Sequence, residues 1–129
     1  MGIDDLNHQQ QMSGLPNKQL ISHLTKDEQI AVIFDRVAAY NQTHDTSKPL
    51  FFDTETTGGG RADQIIEIAF CDSDRHVIID TLIYTDRPSS PGAFKVHGIY
   101  PHELIGKPTF IDIQPAIVQL LKGRTLYAY

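Results

Sequence analysis

The run Leu50-Phe51-Phe52-Asp53-Thr54-Glu55-Thr56-Thr57-Gly58 limits what this chain can become more than any other stretch. Apolar residues open a strand, two carboxylates follow two positions apart, and Gly58, Gly59 and Gly60 close it with a turn. On a strand, residues i and i+2 point to one face. Asp53 and Glu55 are therefore neighbours, roughly 6.5–7 Å apart at the Cα level. Two like charges that close repel unless something positive stands between them. Hard divalent cations such as Mg²⁺ or Mn²⁺ take oxygen ligands of this kind. The run predicts a strand whose exit carries half of a metal site. The three glycines are no phosphate cradle by themselves, since both Gly-x-Gly-x-x-Gly and a Lys-bearing loop are absent.

The flanking pattern predicts a sheet with helices. Thr25-Lys26-Asp27-Glu28 matches a capping box, and Ile30, Ile33, Phe34, Val37 and Tyr40 follow at helical spacing, so a helix is expected over about 26–41. Asn41 to Pro49 is polar and reads as a linker. Strands are expected at Leu50–Glu55, Ile65–Phe70 and His76–Tyr84, with short turns that make an antiparallel meander. Arg87–Gly92 is expected as a Pro- and Ser-rich loop, and His97–Pro108 as irregular chain. Ile111–Lys122 is expected as a helix, with Ile113, Ile117, Leu120 and Leu121 inward and Gly123 at its end. Thr125–Tyr129 is expected as a fourth strand, parallel because it follows a crossover. The fold class is α/β: a ribonuclease H-like mixed sheet of antiparallel meander, crossover helix and parallel fourth strand. The sheet is expected to be truncated, without that fold's closing strand and helix, and to carry an N-terminal helical extension.

Charge narrows the function classes. The net charge is −5, which argues against a protein that grips nucleic acid through a broad basic face. Residues 1–84 hold 6 Lys/Arg against 13 Asp/Glu, a balance of −7; residues 85–129 hold 5 against 3, a balance of +2. Divalent cations among the acids would offset the first imbalance. A single cysteine, Cys71, allows no internal disulfide and fits a reducing, cytoplasmic setting. No basic and apolar leader opens the chain, and no run approaches the ~18 apolar residues of a membrane span.

Phe52-Asp53-Thr54-Glu55-Thr56-Thr57-Gly58 followed by Ile65-Ile66-Glu67-Ile68 resembles the first signature of the DEDD-type 3′-to-5′ exonucleases. Pro91-Gly92-Ala93-Phe94-Lys95-Val96-His97-Gly98-Ile99 and Lys107-Pro108-Thr109-Phe110 are similar to the proofreading subunits of bacterial replicative polymerases within that family. The resemblance covers residues 50–129. It implies hydrolysis of terminal phosphodiesters of DNA or RNA, with two divalent cations, Mg²⁺ or Mn²⁺, holding the phosphate while water attacks in line. By position, Asp53 would bridge both ions and Glu55 would bind the ion on the nucleophile side. Thr56, Thr57 and Gly58 would line the terminal nucleotide's pocket, and His97 would touch the nucleotide. Partners implied are a single-stranded 3′ end and a DNA polymerase, with no membrane. The family's second Asp, its His and its third Asp are expected beyond Tyr129, and relatives carry an acid where Gly92 stands. Residues 1–24 are thus expected as a mobile tail, 25–49 as an extension helix and linker, and 50–129 as the N-terminal part of an exonuclease domain with little activity alone.

Two other functions fit the residues. One is a non-catalytic nuclease-like module that binds nucleic acid or a polymerase. The other is a remnant that pairs with a second copy through the open edge at Thr125–Tyr129. Several side chains have plainer readings. Glu67 is expected to be paired structurally, the histidines His44 and His102 to lie on the surface without metal spacing, and Tyr127 and Tyr129 to pack as ordinary strand residues.

Overall fold

The computed structural model describes residues 23–129, so the tail expected over 1–24 lies outside the described residues as far as position 22. Helix α1 (Lys26–Thr43) begins at Thr25, whose hydroxyl accepts the Glu28 N–H at 3.2 Å while the Glu28 carboxylate accepts the Thr25 N–H at 3.0 Å. Two backbone donors that a helix start leaves open are satisfied at once. The helix runs past its expected end and buries Ile33, Val37 and Tyr40 along one stripe.

Strands β1 (Leu50–Thr56), β2 (Ile65–Asp72) and β3 (Val77–Leu82) form the expected meander, and β4 (Leu126–Ala128) lies parallel to β1. The sheet order is β3-β2-β1-β4, which puts the carboxylate-bearing strand inside the sheet. This is a ribonuclease H-like mixed sheet. A parallel neighbour needs a crossover, and the chain supplies it through helix α2 (Pro91–His97), a 3₁₀ turn (Pro101–Leu104) and helix α3 (Phe110–Leu121).

Helix α2 was not expected. Pro91 and Gly92 open it instead of ending a loop, and His97 closes it instead of opening an irregular stretch. The cause is local: the Ser90 hydroxyl accepts the Ala93 N–H at 3.1 Å, and Pro91 occupies the first turn, where its missing N–H costs nothing. Gly98 stops the helix at φ 65°, the left-handed conformation that suits glycine.

The main core lies between one sheet face and helices α1 and α3. Leu50, Ile68, Phe70 and Ile79 meet Ile33, Val37, Ile113, Ile117 and Leu120 there. Truncating a fully buried member such as Leu120 to alanine would cost about 2–5 kcal/mol. The opposite face carries a small cluster of Phe51, Ala69, Cys71 and Val77. Burial raises the Cys71 thiol to about 11, so it sits there as an inert apolar group. No described helix is long and apolar enough to cross a membrane.

Candidate active site

Alternation along β1 sorts its side chains. Leu50 and Phe52 belong to the helix-covered core, and Phe51 belongs to the cluster on the other face. Asp53 and Glu55 follow Phe51 by two and four positions and share its face. In register Asp53 faces Ala69 and Glu55 faces Glu67. Like charges directly across an antiparallel pair, with Cβ atoms about 4.5–5.5 Å apart, are unfavourable. The pairing shifts register just after Glu55, a bulge that re-aims the strand end.

Asp53 and Glu55 are half-buried, and among the described residues neither takes a hydrogen bond or ion pair. Glu55, Thr56, Gly58 and His97 come together around a cleft of about 360 Å³, with Thr54, Gly59, Ser90, Gly92, Ala93 and Val96 completing its wall. The cleft lies where the end of β1 meets α2. Asp53 and Thr57 do not line it. Beyond Phe51 on the same sheet face, a hollow of about 460 Å³ is walled by Phe51, Cys71, Ala128 and Tyr129. Tyr127 stacks on Phe51 at 5.5 Å between ring centroids and remains half exposed, as does Tyr129.

Thr57 is buried because it anchors the turn behind the cleft. Its hydroxyl donates to Asp63 Oδ1 at 2.8 Å and accepts the Gln64 N–H at 2.9 Å. Asp63 also accepts the Gly60 N–H at 2.7 Å and the Arg87 Nε–H at 2.8 Å. The Arg87 bond, with those from Gly60 and Thr57, holds the Asp63 carboxyl down at about 2. Gly58 is the residue this clamp tolerates: a Cβ there would lie 2.6 Å from Asp63 Oδ2.

His97 is set by two bonds. Its Nδ1 accepts the Ile99 N–H at 2.9 Å, so the neutral ring carries its proton on Nε2, which donates to Ser89 Oγ at 3.1 Å. Gly92 lines the cleft, and a Cβ built on it meets nothing within 4 Å.

Residues 50–129 match the family described as RNase_T exonuclease. The chain belongs to that exonuclease family. Its relatives include a protein named DNA polymerase III subunit epsilon from Treponema pallidum, 40% identical over 82 residues, which is 60% of this chain and 38% of the relative. Another is an uncharacterized exonuclease of Escherichia phage 186, 37% identical over 71 residues, covering 55% of this chain and 37% of the relative. The chain spans well under half the length of these curated relatives. The family match begins at Leu50 and so leaves helix α1 outside it.

One expectation about the exonuclease chain fails. His44, expected on the surface without metal spacing, is half-buried. It stacks on Tyr40 with ring centroids 4.1 Å apart, and it offers a ligand atom within 4.8 Å of one from Asp72 and one from His76. Only His76 and Asp72 are close in sequence, so the fold alone reveals the group.

Proposed function

We propose that this chain contributes the first half of the catalytic centre of a metal-dependent 3′-to-5′ exonuclease acting on single-stranded DNA or RNA ends. The observation that carries this reading is the pair Asp53 and Glu55: two carboxylates on one strand face, unbonded among the described residues, beside an open cleft. Such a pair suits hard divalent cations, Mg²⁺ or Mn²⁺, and repels itself without them. Asp53 and Glu55 would hold these ions. The bound ions supply charge neutralisation at the phosphate and activation of water.

The chain's own residues do the rest. The β1 backbone, paired with β2 along this stretch, holds the carboxylates in place. Thr56, whose hydroxyl donates to the Gly58 carbonyl at 2.8 Å, and Gly58 line the cleft where the terminal nucleotide would lie, with Thr57 setting the turn beneath them. His97 lines the cleft, and its Nε2–H, now on Ser89 Oγ, would serve a sugar or phosphate oxygen if that bond were exchanged. The general base and further acidic ligands of the family have no counterpart assigned among these residues, so we expect the 129 residues alone to release nucleotides slowly or not at all. The relative named DNA polymerase III subunit epsilon supports association with a DNA polymerase. Residues 25–49 would serve as an extension packed on an exonuclease unit that starts at Leu50.

The test is release of mononucleotides from a 3′-labelled oligonucleotide with Mg²⁺ or Mn²⁺, in the longest reading frame that contains this chain. Activity retained by Asp53→Ala would refute the assignment. The plainer alternative, a module that binds nucleic acid without cutting it, predicts oligonucleotide binding indifferent to metal.

A further inference from the structure

Away from the cleft, α1 ends against the β2–β3 turn in a group of two imidazoles and a carboxylate. Asp72 is more than nine-tenths buried. Its Oδ1 accepts the N–H groups of Asp74 and His76, both at 2.9 Å, and its Oδ2 accepts the Tyr40 hydroxyl at 2.7 Å and faces His76 Nδ1 at 3.0 Å. His44, the capping residue at the end of α1, meets His76 edge-on with ring centroids 4.9 Å apart. A cavity of about 150 Å³ opens beside the two rings.

The tautomer of His44 follows from its neighbours. The Thr43 hydroxyl spends its proton on the Ala39 carbonyl at 2.8 Å, so it turns a lone pair to His44 Nδ1, also 2.8 Å away. The Tyr40 carbonyl, 3.3 Å from the same nitrogen, can only accept. Nδ1 must therefore be the protonated nitrogen, and Nε2 keeps its lone pair. A histidine whose Nδ1–H is held by backbone or hydroxyl oxygen is in the arrangement that orients Nε2 toward a metal.

We propose that His44, Asp72 and His76 form a binding site for Zn²⁺, separate from the Asp53/Glu55 pair. Two nitrogens and one carboxylate oxygen are a donor set zinc prefers and Mg²⁺ does not. Ligand atoms around zinc at 2.0–2.1 Å lie about 3.3 Å apart. His76 Nδ1 and Asp72 Oδ2 already meet that spacing at 3.0 Å. All three ligand atoms lie within 4.8 Å of one another, so His44 must swing in by roughly 1–2 Å. It has room to do so, being only half-buried at a cavity mouth. The Arg36 guanidinium also borders the cavity; its Nε and one terminal nitrogen donate to the carbonyls of Ile78 and Val77, while its other terminal nitrogen is buried without a hydrogen-bond partner among the described residues. Water from the cavity can take the remaining position. The ion would fasten the end of α1, which lies outside the family match, to the exonuclease sheet.

The experiment is titration of the 129-residue chain with Zn²⁺ in excess Mg²⁺, with Co²⁺ as the spectroscopic probe. The expected result is one equivalent of Zn²⁺ and a rise in melting temperature. In long-range ¹H–¹⁵N spectra the ring nitrogens of His44 and His76 should shift, while those of His97 and His102 stay put. Affinity should fall by more than about 10-fold in His44→Gln and in His76→Gln, both of which keep polar bulk. It should persist in Asp53→Ala with Glu55→Ala. The proposal is overturned if Zn²⁺ binds equally well to the folded double His variant, if it is lost with the Asp53 and Glu55 substitutions, or if other histidine rings respond instead. Failure here leaves the Asp53 and Glu55 assignment standing, because nuclease activity is read separately.

Discussion

Asp63 and Glu55 lie eight positions apart, and the fold treats them in opposite ways. Asp63 is answered on every side by Thr57, Gly60 and Arg87. Asp72 is answered by Tyr40, His76 and two backbone donors, and Asp112 by the Thr109 N–H and Lys26. These carboxylates hold turns and helix starts, and their bonds keep all three below the ordinary carboxylate range, for Asp72 against the upward push of burial. Asp53 and Glu55 sit on β1 just past the end of its pairing with β4, held by β2, with no such side-chain bonds among the described residues. A carboxylate that the fold uses is a structural part. One that the fold holds still and leaves unbonded is free to meet something from outside.

The sharpest way to break this contrast is Asp53→Ala. In any form of the protein that turns over substrate, it should lower the rate by at least about 100-fold. Its urea midpoint should move by no more than about 0.5 kcal/mol in stability. A large loss of stability would put Asp53 among the structural carboxylates. Asp72→Ala should do the reverse. It leaves the Tyr40 hydroxyl and two backbone N–H groups without an acceptor in a buried place, for a cost of about 2–4 kcal/mol by urea denaturation.

A milder probe is Gly58→Ala, whose new methyl group would displace the Asp63 carboxylate from its clamp. A fall in melting temperature of roughly 4–8 °C is expected. A melting temperature unchanged by the substitution would show that the clamp contributes little. The smallest effect sharpens the comparison through pH. The Asp63 carboxyl is held at about 2 against an ordinary 3.8, so its contribution is complete above the ordinary value and fades as pH falls from 3.8 toward 2. Asp63→Asn should therefore melt below the parent at pH 6, and the gap should close on acidification across that window. A gap that is constant with pH would mean the charge of Asp63 is not what the turn uses.

What the sequence made legible was whatever is local or periodic. The Thr25 capping box, the period-two strands and the apolar spacing of α3 each lie within one element, and their physics needs no partner. Even the parallel placement of β4 followed from the length of the crossover. The Asp53 and Glu55 pair was legible for the same reason, since strand alternation sets their common face. Helix α2 escaped because seven residues are too few for a periodic stripe, although Ser90 and Pro91 marked its start. The remaining surprises are contacts across distance. Arg87 reaches back to Asp63, Glu67 lands opposite Glu55 in the β1–β2 register, and His44 meets His76 only once α1 lies along the sheet.

Arg124, just before β4, donates to the carbonyls of Asp45, Lys48 and Leu120 and to the side chain of Asn41, and lies over the Tyr40 ring. One guanidinium thus pins both ends of the segment that leads from α1 into β1, together with the end of α3. A protease that severs the peptide between Thr46 and Ser47 should leave two pieces that co-migrate under native conditions. Loss of that side chain should lower the temperature at which they part, since the buried stripe of α1 still holds them.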